Sequence, residues 1–411
     1  MSADALKEDA TGAPWLLEPV DGVPDLVVDD AQLRDAAAAV AAGRGPVALD
    51  AERASGYRYS ARAYLVQLRR DGVGTVLIDP IRCPDLTVLQ ESLAESEWVL
   101  HAAGQDLACL AELGLRPRRL FDTELAGRLL GYPRVGLGTL LELLLDVRLE
   151  KGHSAADWST RPLPQPWLVY AALDVELLLP LRELLQQQLR DTGKLEWAEQ
   201  EFDAVRDAAL RPPPVRSEPW RRLSGIHRLR APRQLAAARA LWEARDTLAC
   251  RLDVAPGRVL PDSAVIAAVM AKPASEQELR ALPVFAGPRQ RRRSGLWWSA
   301  LAAAAALADD QLPPNTAPLP RDVPPPTNRW SDRDPAAAQR LVAVRAALSA
   351  LATEHDLPVE NLLEPALSRR LAWESSPDVH ATLVNGGARR WQVELTAGPL
   401  EAALHAAQQA D

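Results

Sequence analysis

Short apolar runs bounded by turn residues alternate with helical patterns through the first half of the chain. The short runs predict strands at residues 47–52, 63–70, 74–79, 98–103 and 120–122. Asp71-Gly72 separates the second and third runs and is typical of a hairpin turn, so the first three strands form a meander. The helical patterns predict helices at residues 29–42, 84–96, 104–113, 123–130, 137–145 and 166–189, the last followed by another helix to about residue 210. A meander followed by strand–helix alternation predicts an α/β domain with a mixed sheet.

Helical patterns fill the second half of the chain, and proline-rich stretches divide them. Pro212-Pro213-Pro214 breaks the chain, and seven prolines lie between Pro313 and Pro326 without any period. Residues 233–308 and 335–411 are helical by period. The predicted domains are an α/β domain at 1–212, a helical domain at 213–310, a Pro-rich linker at 311–334 and a second helical domain at 335–411.

The composition is that of a soluble globular protein, with 47% hydrophobic and 25% charged residues among 411. Residues 1–21 lack the order of a secretion signal, and no run of 18 apolar residues occurs, so no membrane partner is expected. Cys83, Cys109 and Cys250 are scattered, which argues against a zinc site or a disulfide framework. Three separate cysteines fit a reducing compartment, and a cytoplasmic location is expected.

Charge is distributed unevenly along the chain. The net charge is −8, but residues 215–310 contain 15 Arg and one Lys against nine acids, a net charge of +7 that leaves −15 for the remainder. Such an asymmetry is typical of proteins that bind nucleic acid. Within this segment we predict that Arg289, Arg291, Arg292 and Arg293 bind nucleic acid. The alternative is a solvated helix end, and for the neighbouring Trp297-Trp298 pair we favour core packing.

Four carboxylates and one tyrosine stand next to buried elements. Asp50 and Glu52 are spaced i, i+2, so both side chains lie on one face of the first strand of the meander. Asp106 opens a helix after a buried strand, and Tyr170 and Asp174 share a helix face at i, i+4. Solvent-exposed acids and a packing tyrosine are the alternatives. Acids without His or Cys suit hard cations such as Mg²⁺ or Mn²⁺, and two such ions can support phosphoryl transfer.

These residues resemble the DEDDy class of 3′–5′ exonucleases. Three further segments are similar to ribonuclease D and to the HRDC domain that follows its nuclease domain: Phe121-Asp-Thr-Glu-Leu-Ala126, Asp157-Trp-Ser-x-Arg-Pro-Leu163 and Trp242-x-x-Arg245-Asp246. The resemblance covers about residues 20–410. It implies a ribonuclease H-like α/β exonuclease domain, with a mixed sheet flanked by helices, followed by two all-α HRDC-type helical domains. One departure stands beside Glu52, where Ala51 and Arg53 replace the Thr and aromatic residue usual in relatives.

The resemblance also implies a reaction and a set of roles. The enzyme would hydrolyse RNA with a free 3′ end, tRNA precursors included, to 5′-mononucleotides by two-metal-ion catalysis with Mg²⁺ or Mn²⁺. Asp50, Glu52 and Asp174 would hold one ion, and Asp50 would bridge to a second that Asp106 supports. Tyr170 would orient the attacking water, because a phenol is a poor base at neutral pH. Asp122 is interpreted as structural.

Two other functions remain open at the level of the sequence. One is a 3′–5′ exonuclease that acts mainly on single-stranded DNA, since contacts to the 2′-hydroxyl cannot be read from these motifs. The other is a catalytically silent nucleic-acid-binding adaptor, against which the complete set of acids argues. Arg161 is a candidate for a phosphate contact, with a loop ion pair as the equal alternative.

Overall fold

Nine strands and twenty helices are described in the computed structural model, which covers residues 6–7, 12–150, 152–212, 216–316 and 323–409. The described chain divides into two compact units. The first contains residues 1–53, 62–212 and 319–411, and the second contains residues 54–61 and 213–318. The predicted boundary at 212/213 and the middle of the predicted linker, 317–322, touch or lie in segments outside the described residues. The predicted domain limits therefore stay predictions.

A six-stranded mixed sheet lies at the centre of the first unit. The strands in chain order are β1 Leu6–Lys7, β2 Trp15–Leu16, β3 Leu26–Val27, β4 Arg44–Arg53, β5 Ala63–Asp71, β6 Gly74–Ile78, β7 Glu97–Leu100, β8 Arg119–Asp122 and β9 Arg148–Leu149. The large sheet has the order β3-β6-β5-β4-β7-β8, and β1, β2 and β9 form a small second sheet. The β4–β5–β6 meander is antiparallel, whereas β7 and β8 continue the sheet in parallel with β4. The sheet is thus mixed, as the sequence predicted.

Helices cover the sheet of this unit. They are α1 Asp30–Ala42, α2 Thr87–Leu93, α3 Leu107–Glu112, α4 Thr123–Leu129, α5 Leu137–Leu145, α6 Gln165–Glu176, α7 Leu178–Asp191 and α8 Leu195–Ala209.

Two predicted boundaries are corrected. Strand β7 ends at Leu100 instead of residue 103, because Ala102 adopts a left-handed conformation with φ 57° and a short 3₁₀ turn follows it.

The single helix predicted for residues 166–189 is two helices, α6 and α7. Pro180 supplies the physical reason. A proline inside a continuous helix lacks the N–H for the carbonyl of residue 176 and its ring collides with that carbonyl. The chain therefore leaves helical geometry at Leu177, with φ −110° and ψ 8°, and restarts so that Pro180 lies in the first turn of α7. Helix α6 consequently ends just after Asp174.

The second unit is helical. Its helices are α9 Pro232–Leu252, α10 Pro256–Val259, α11 Asp262–Ala271, α12 Glu276–Ala281, α13 Pro288–Arg292 and α14 Ser294–Ala305. They enclose a separate hydrophobic core that includes Leu241, Val265, Phe285 and Trp297. Arg245 is buried on α9 and donates to Asp262 and to the carbonyl of Leu260. This bond fixes the start of α11 against α9, since a buried guanidinium must find acceptors.

The C-terminal helices belong to the first unit and not to a body of their own. They are α15 Trp330–Arg333, α16 Pro335–Glu354, α17 Val359–Leu362, α18 Pro365–Trp373, α19 Val379–Asn385 and α20 Arg390–Gln409. Their buried residues are part of the same hydrophobic core as the sheet. Within the predicted linker, Trp330 is buried and begins α15. Ordered helical structure therefore starts before residue 335.

Polar contacts as well as apolar packing attach the C-terminal helices to α8. The Trp197 and Trp391 rings stack 4.8 Å apart, and Trp391 Nε1 donates to Glu201 Oε1 at 3.1 Å. The buried Lys194 ammonium donates to the carbonyl of Leu129 at 2.7 Å and to that of His355 at 2.6 Å. One charged group thereby satisfies carbonyls from both parts of the unit. Within the described ranges, none of the helices combines the length and the apolar character that a membrane span requires.

We expect Trp391→Ala to lower the free energy of unfolding of the first unit by about 3–5 kcal/mol, because it removes a large buried ring and leaves a cavity. Urea denaturation measures the change. Leu143→Ala is the matched control: Leu143 lies in the same unit with 59% of its side chain exposed, and its loss should cost less than about 0.5 kcal/mol. Equal midpoints for the Trp391→Ala and wild-type proteins would show that the C-terminal helices do not share the core.

Candidate active site

Strand β4 carries the first two acids into the interior of the sheet. Its residues Val47, Ala48 and Leu49 are fully buried, and the parallel partner β7 pairs with Val47 and Ala48. The strand continues beyond this pairing, so Asp50 and Glu52 lie past the end of the paired region of β7. Both acids occupy one face of β4, as the i, i+2 spacing predicts.

Gln67 on the neighbouring strand holds Asp50 in place. It lies opposite Asp50 in the β4–β5 register, is fully buried, and donates from Nε2 to Asp50 Oδ2 at 2.6 Å. The sequence interpretation missed this residue. Its signal was available as a single amide in the otherwise apolar run Ala63–Leu68. A buried amide needs a partner, and here the partner is the acid that the site is built around.

Helix α6 packs across β4 and β5 and brings the last two predicted residues to the same place. Asp50, Glu52 and Asp174 each offer one carboxylate oxygen within 4.8 Å of the others. The Tyr170 phenol lies one helical turn from Asp174 on α6, close enough for the Asp174 charge to act on it. The structure therefore brings four of the five predicted residues into a single cluster.

Asp106 reaches this cluster by a different route. It lies at the N-cap position of α3, but its side chain caps no helix N–H. Instead, its carboxyl lies close to that of Asp50, and its Oδ1 lies 3.2 Å from Nη2 of Arg53. All five residues predicted from the sequence are thus close together. Asp106, however, forms an ion pair with the Arg53 guanidinium.

The turn that places Asp106 is held by Asp122. The Asp122 carboxylate is buried and accepts from four backbone N–H groups, those of Ala102, Ala103, Glu124 and Leu125. It therefore joins the turn after β7 to the start of α4, and this contact fixes the left-handed Ala102. The interpretation of Asp122 as structural agrees with this geometry. Burial also lowers the pKa of the neighbouring His101 to about 4, so this imidazole is neutral.

Burial and mutual repulsion raise the pKa values of the clustered acids. Burial, followed by the negative charges of Asp50, Asp174 and Asp106, raises the pKa of Glu52 to about 10. Burial and Asp50 raise the pKa of Asp106 to about 8, although the Arg53 charge opposes the shift. The pKa values of Asp50 and Asp174 are raised for the same first reason. Without added positive charge, the cluster therefore retains protons at neutral pH.

The chemistry of the donor set fits a divalent metal ion. Three carboxylates within reach of one point, without His or Cys, are the ligands that Mg²⁺ and Mn²⁺ prefer. A bound cation would also remove the electrostatic cost of burying these acids together. Aromatic side chains border the cluster: the Tyr170 ring lies 5.9 Å from His153 and 6.3 Å from Trp158.

Comparisons with known proteins agree with this geometry. Residues 24–190 match the family model described as 3′–5′ exonuclease, residues 234–301 match the HRDC domain, and residues 323–404 match the 3′ to 5′ exonuclease C-terminal domain. Ribonuclease D of Granulibacter bethesdensis is 32% identical over 304 residues, which are 72% of this chain and 73% of that protein. The chain belongs to the ribonuclease D family. It is accordingly a 3′–5′ exoribonuclease, a hydrolase of phosphodiester bonds with a nucleic-acid substrate.

Solved structures show the same architecture along almost the whole chain. The crystal structure of a protein from Bifidobacterium adolescentis has a TM-score of 0.89 and 37% identity, and covers 95% of this chain and 99% of its own. Escherichia coli RNase D has a TM-score of 0.68 and 26% identity, with 93% and 98% covered. The fold predicted from the sequence, an α/β exonuclease domain followed by helical domains, is thereby confirmed.

Arg161, the candidate for a phosphate contact, lies in the loop before α6. All of its N–H groups are used inside the protein: two reach the Asp79 carboxylate at 2.7 and 2.8 Å, and the others reach the carbonyls of Tyr64, Trp158 and Thr160. Arg161 therefore forms the loop ion pair that was its alternative interpretation, and a phosphate contact of this residue stays a prediction. A guanidinium with every donor satisfied holds the loop before α6 against the sheet.

The predicted basic stretch lies on the second unit, at α13 and the start of α14. Arg289, Arg291 and Arg292 are exposed, and Arg293 is half-buried. Trp297 is fully buried in the core of this unit and donates to Gln290 at 2.9 Å, which agrees with the packing role favoured for it. Arg221, Arg233 and Arg245 of this unit form ion pairs. Three of the four arginines of the stretch are exposed to solvent.

We expect Glu52→Gln to stabilise the metal-free protein by at least about 1 kcal/mol at pH 8, and by less at pH 5. The folded protein holds a proton on Glu52 up to a pKa of about 10, whereas the unfolded chain releases it near 4.5. Raising the pH between these values therefore favours unfolding, and glutamine removes that cost. Urea denaturation in EDTA at both pH values measures it.

Asp35→Asn, at an exposed position of α1, is the matched control and should show no such pH dependence. Glu52→Gln curves that coincide with wild type at pH 8 would contradict the electrostatic account of the cluster.

Proposed function

We propose that this ribonuclease D-family enzyme shortens RNA from its 3′ end with two divalent ions, Mg²⁺ or Mn²⁺, bound at the acid cluster. Asp50, Glu52 and Asp174 would hold one ion, and Asp50 with Asp106 would hold the other. The observation that carries the proposal is the approach of three carboxylates within 4.8 Å of one another, with the Tyr170 phenol close to them. The three ligands proposed for the first ion come from regular elements, Asp50 and Glu52 from β4 and Asp174 from α6, which suits a preorganised site.

The bound ions would supply Lewis-acid chemistry for an in-line displacement at phosphorus. The protein groups supply position. Gln67 donates to Oδ2 of Asp50 and would hold this carboxylate in position to bind an ion. Burial, with the charges of Asp174 and Glu52, raises the pKa of Tyr170, so the phenol keeps its proton at neutral pH. Tyr170 therefore acts as a hydrogen-bonding group that orients the attacking water, and not as a base.

The substrate we propose is RNA with a free 3′ end, released as 5′-mononucleotides. E. coli RNase D, which aligns with nearly the whole of this chain, is an exoribonuclease involved in structured RNA processing. We extend that role to this enzyme and propose precursors of tRNA as substrates. The buried free thiols of Cys83 and Cys109 are consistent with the reducing cytoplasm, where such precursors occur.

The basic stretch on the second unit is proposed to bind the body of the RNA. Three exposed arginines and one half-buried arginine provide charge that the acidic remainder of the chain does not. Each phosphate neutralised by such a residue releases condensed counterions, which makes binding sensitive to salt. The domain division predicted from the sequence assigns this function to residues 213–310.

Equal-sequence 5′-labelled RNA and DNA oligonucleotides test the reaction. We expect a ladder of shortened RNA with Mg²⁺ or Mn²⁺, none with EDTA, and slower shortening of DNA. Asp50→Asn and Asp174→Asn should lower the rate at least roughly 10³-fold, because each removes a ligand worth several kcal/mol. Tyr170→Phe should lower it roughly 10²-fold and retain metal binding, since the phenol only orients water.

Asp71→Asn is the control, because Asp71 is an exposed acid at the far end of β5 and should retain wild-type activity. Circular dichroism establishes that each variant is folded. Metal-dependent shortening at the wild-type rate by Asp50→Asn or Asp174→Asn would refute the assignment, and faster shortening of DNA would shift it to a DNA exonuclease.

We expect Arg291→Glu/Arg292→Glu/Arg293→Glu to raise KM for long RNA and to flatten the salt dependence of binding. For single-stranded nucleic acid the slope of log K against log salt should fall by about 0.7 for each phosphate that the variant no longer neutralises. Fluorescence anisotropy at roughly 50 to 300 mM salt measures the salt dependence of RNA binding. Cleavage of a dinucleotide serves as the internal control. An unchanged affinity and slope would leave the stretch as solvated surface.

A further inference from the structure

Arg53 enters the acid cluster because of an irregularity in the sheet. Glu52 pairs with Leu65, but the next residue, Arg53, pairs with Ala63, so Tyr64 is an extra residue on β5. In a regular strand Arg53 would point away from the face that carries Asp50 and Glu52. A bulge of this kind increases the local twist and redirects the side chains around it. The Arg53 guanidinium accordingly lies on the side of the acids.

The contact that results is an ion pair with Asp106. Nη2 of Arg53 lies 3.2 Å from Asp106 Oδ1, and the two side chains are 28% and 8% exposed. The Asp106 side chain caps no helix N–H, and its carboxyl is instead paired with the Arg53 guanidinium. The three carboxylates that converge on a common point are Asp50, Glu52 and Asp174, without Asp106. A protein cation therefore stands at the carboxylate that a second ion would need.

We propose that Arg53 is a resident counter-ion of Asp106, which a second divalent ion must displace. The inference rests on the proposed function, because it presupposes ions at this cluster. Two cations beside one carboxylate repel each other, so the Arg53 pair and the second ion compete for Asp106. The first ion, held by Asp50, Glu52 and Asp174, meets no such competitor. Arg53 thereby makes binding of the two ions unequal, and acts as a positioning residue through Asp106.

The test measures Mn²⁺ binding to the full chain without RNA, by calorimetry and by electron paramagnetic resonance. We expect the wild type to bind one ion tightly and a second weakly. In Arg53→Met, which retains length without charge, the second ion should bind at least about tenfold more tightly, equivalent to ~1.4 kcal/mol. Arg53→Lys retains the charge and should resemble the wild type. A second-ion affinity in Arg53→Met equal to that of the wild type would overturn the proposal.

A double-mutant cycle with Asp106→Asn separates this role from a merely structural one. If Arg53 acts through Asp106, Arg53→Met should have no effect on Mn²⁺ binding in the Asp106→Asn background. An effect of Arg53→Met on binding of the second ion in that background would overturn the proposal, and this comparison does not need the Arg53→Met single variant to be stable. Failure of the wild type to bind any Mn²⁺, or unchanged binding in Asp174→Asn, would instead overturn the proposed function and this inference with it.

Discussion

Electrostatic repulsion among buried carboxylates is the constraint on which the rest of this structure depends. Asp50, Glu52 and Asp174 converge within 4.8 Å, and burial with their mutual charge holds the pKa of Glu52 near 10. Such an arrangement opposes folding unless protons or cations neutralise it. It persists because β4 and α6 are fixed by large apolar surfaces on their other faces, so the free energy of the core holds the acids where they repel.

The groups around the cluster each relieve part of that cost. Gln67 donates to Asp50, and Arg53 pairs with Asp106. Asp122 acts one step further away, because its four backbone hydrogen bonds fix the turn that leads to Asp106. Asp50, Glu52 and Asp174 are thereby held close together without an ion, which would limit the reorganisation needed if they bind one.

The first unit is built from segments that are far apart in the sequence. Its core includes the sheet and helices α15 to α20, joined through the Trp197–Trp391 stack and the buried Lys194. The proline-rich stretches lie between these segments along the chain. Proline-rich composition indicates where the chain leaves a compact unit, but it does not indicate that a later segment packs back onto the same core. The helices of residues 232–305, which lie between these segments in the sequence, form a separate hydrophobic core.

The sequence by itself determined the elements that have a strong local signal. Hydrophobic periods of 2 and 3.6 predicted the meander, the strand after it and the helices. The spacings of Asp50 with Glu52 and of Tyr170 with Asp174 predicted which side chains share a face, and the short motifs indicated the family. Only the tertiary structure decided the partner of Arg161, the bond from Gln67 to Asp50 and the entry of Arg53 into the cluster. Each of these depends on contacts between residues distant in sequence, or on a change of strand register, and neither leaves a period in the chain.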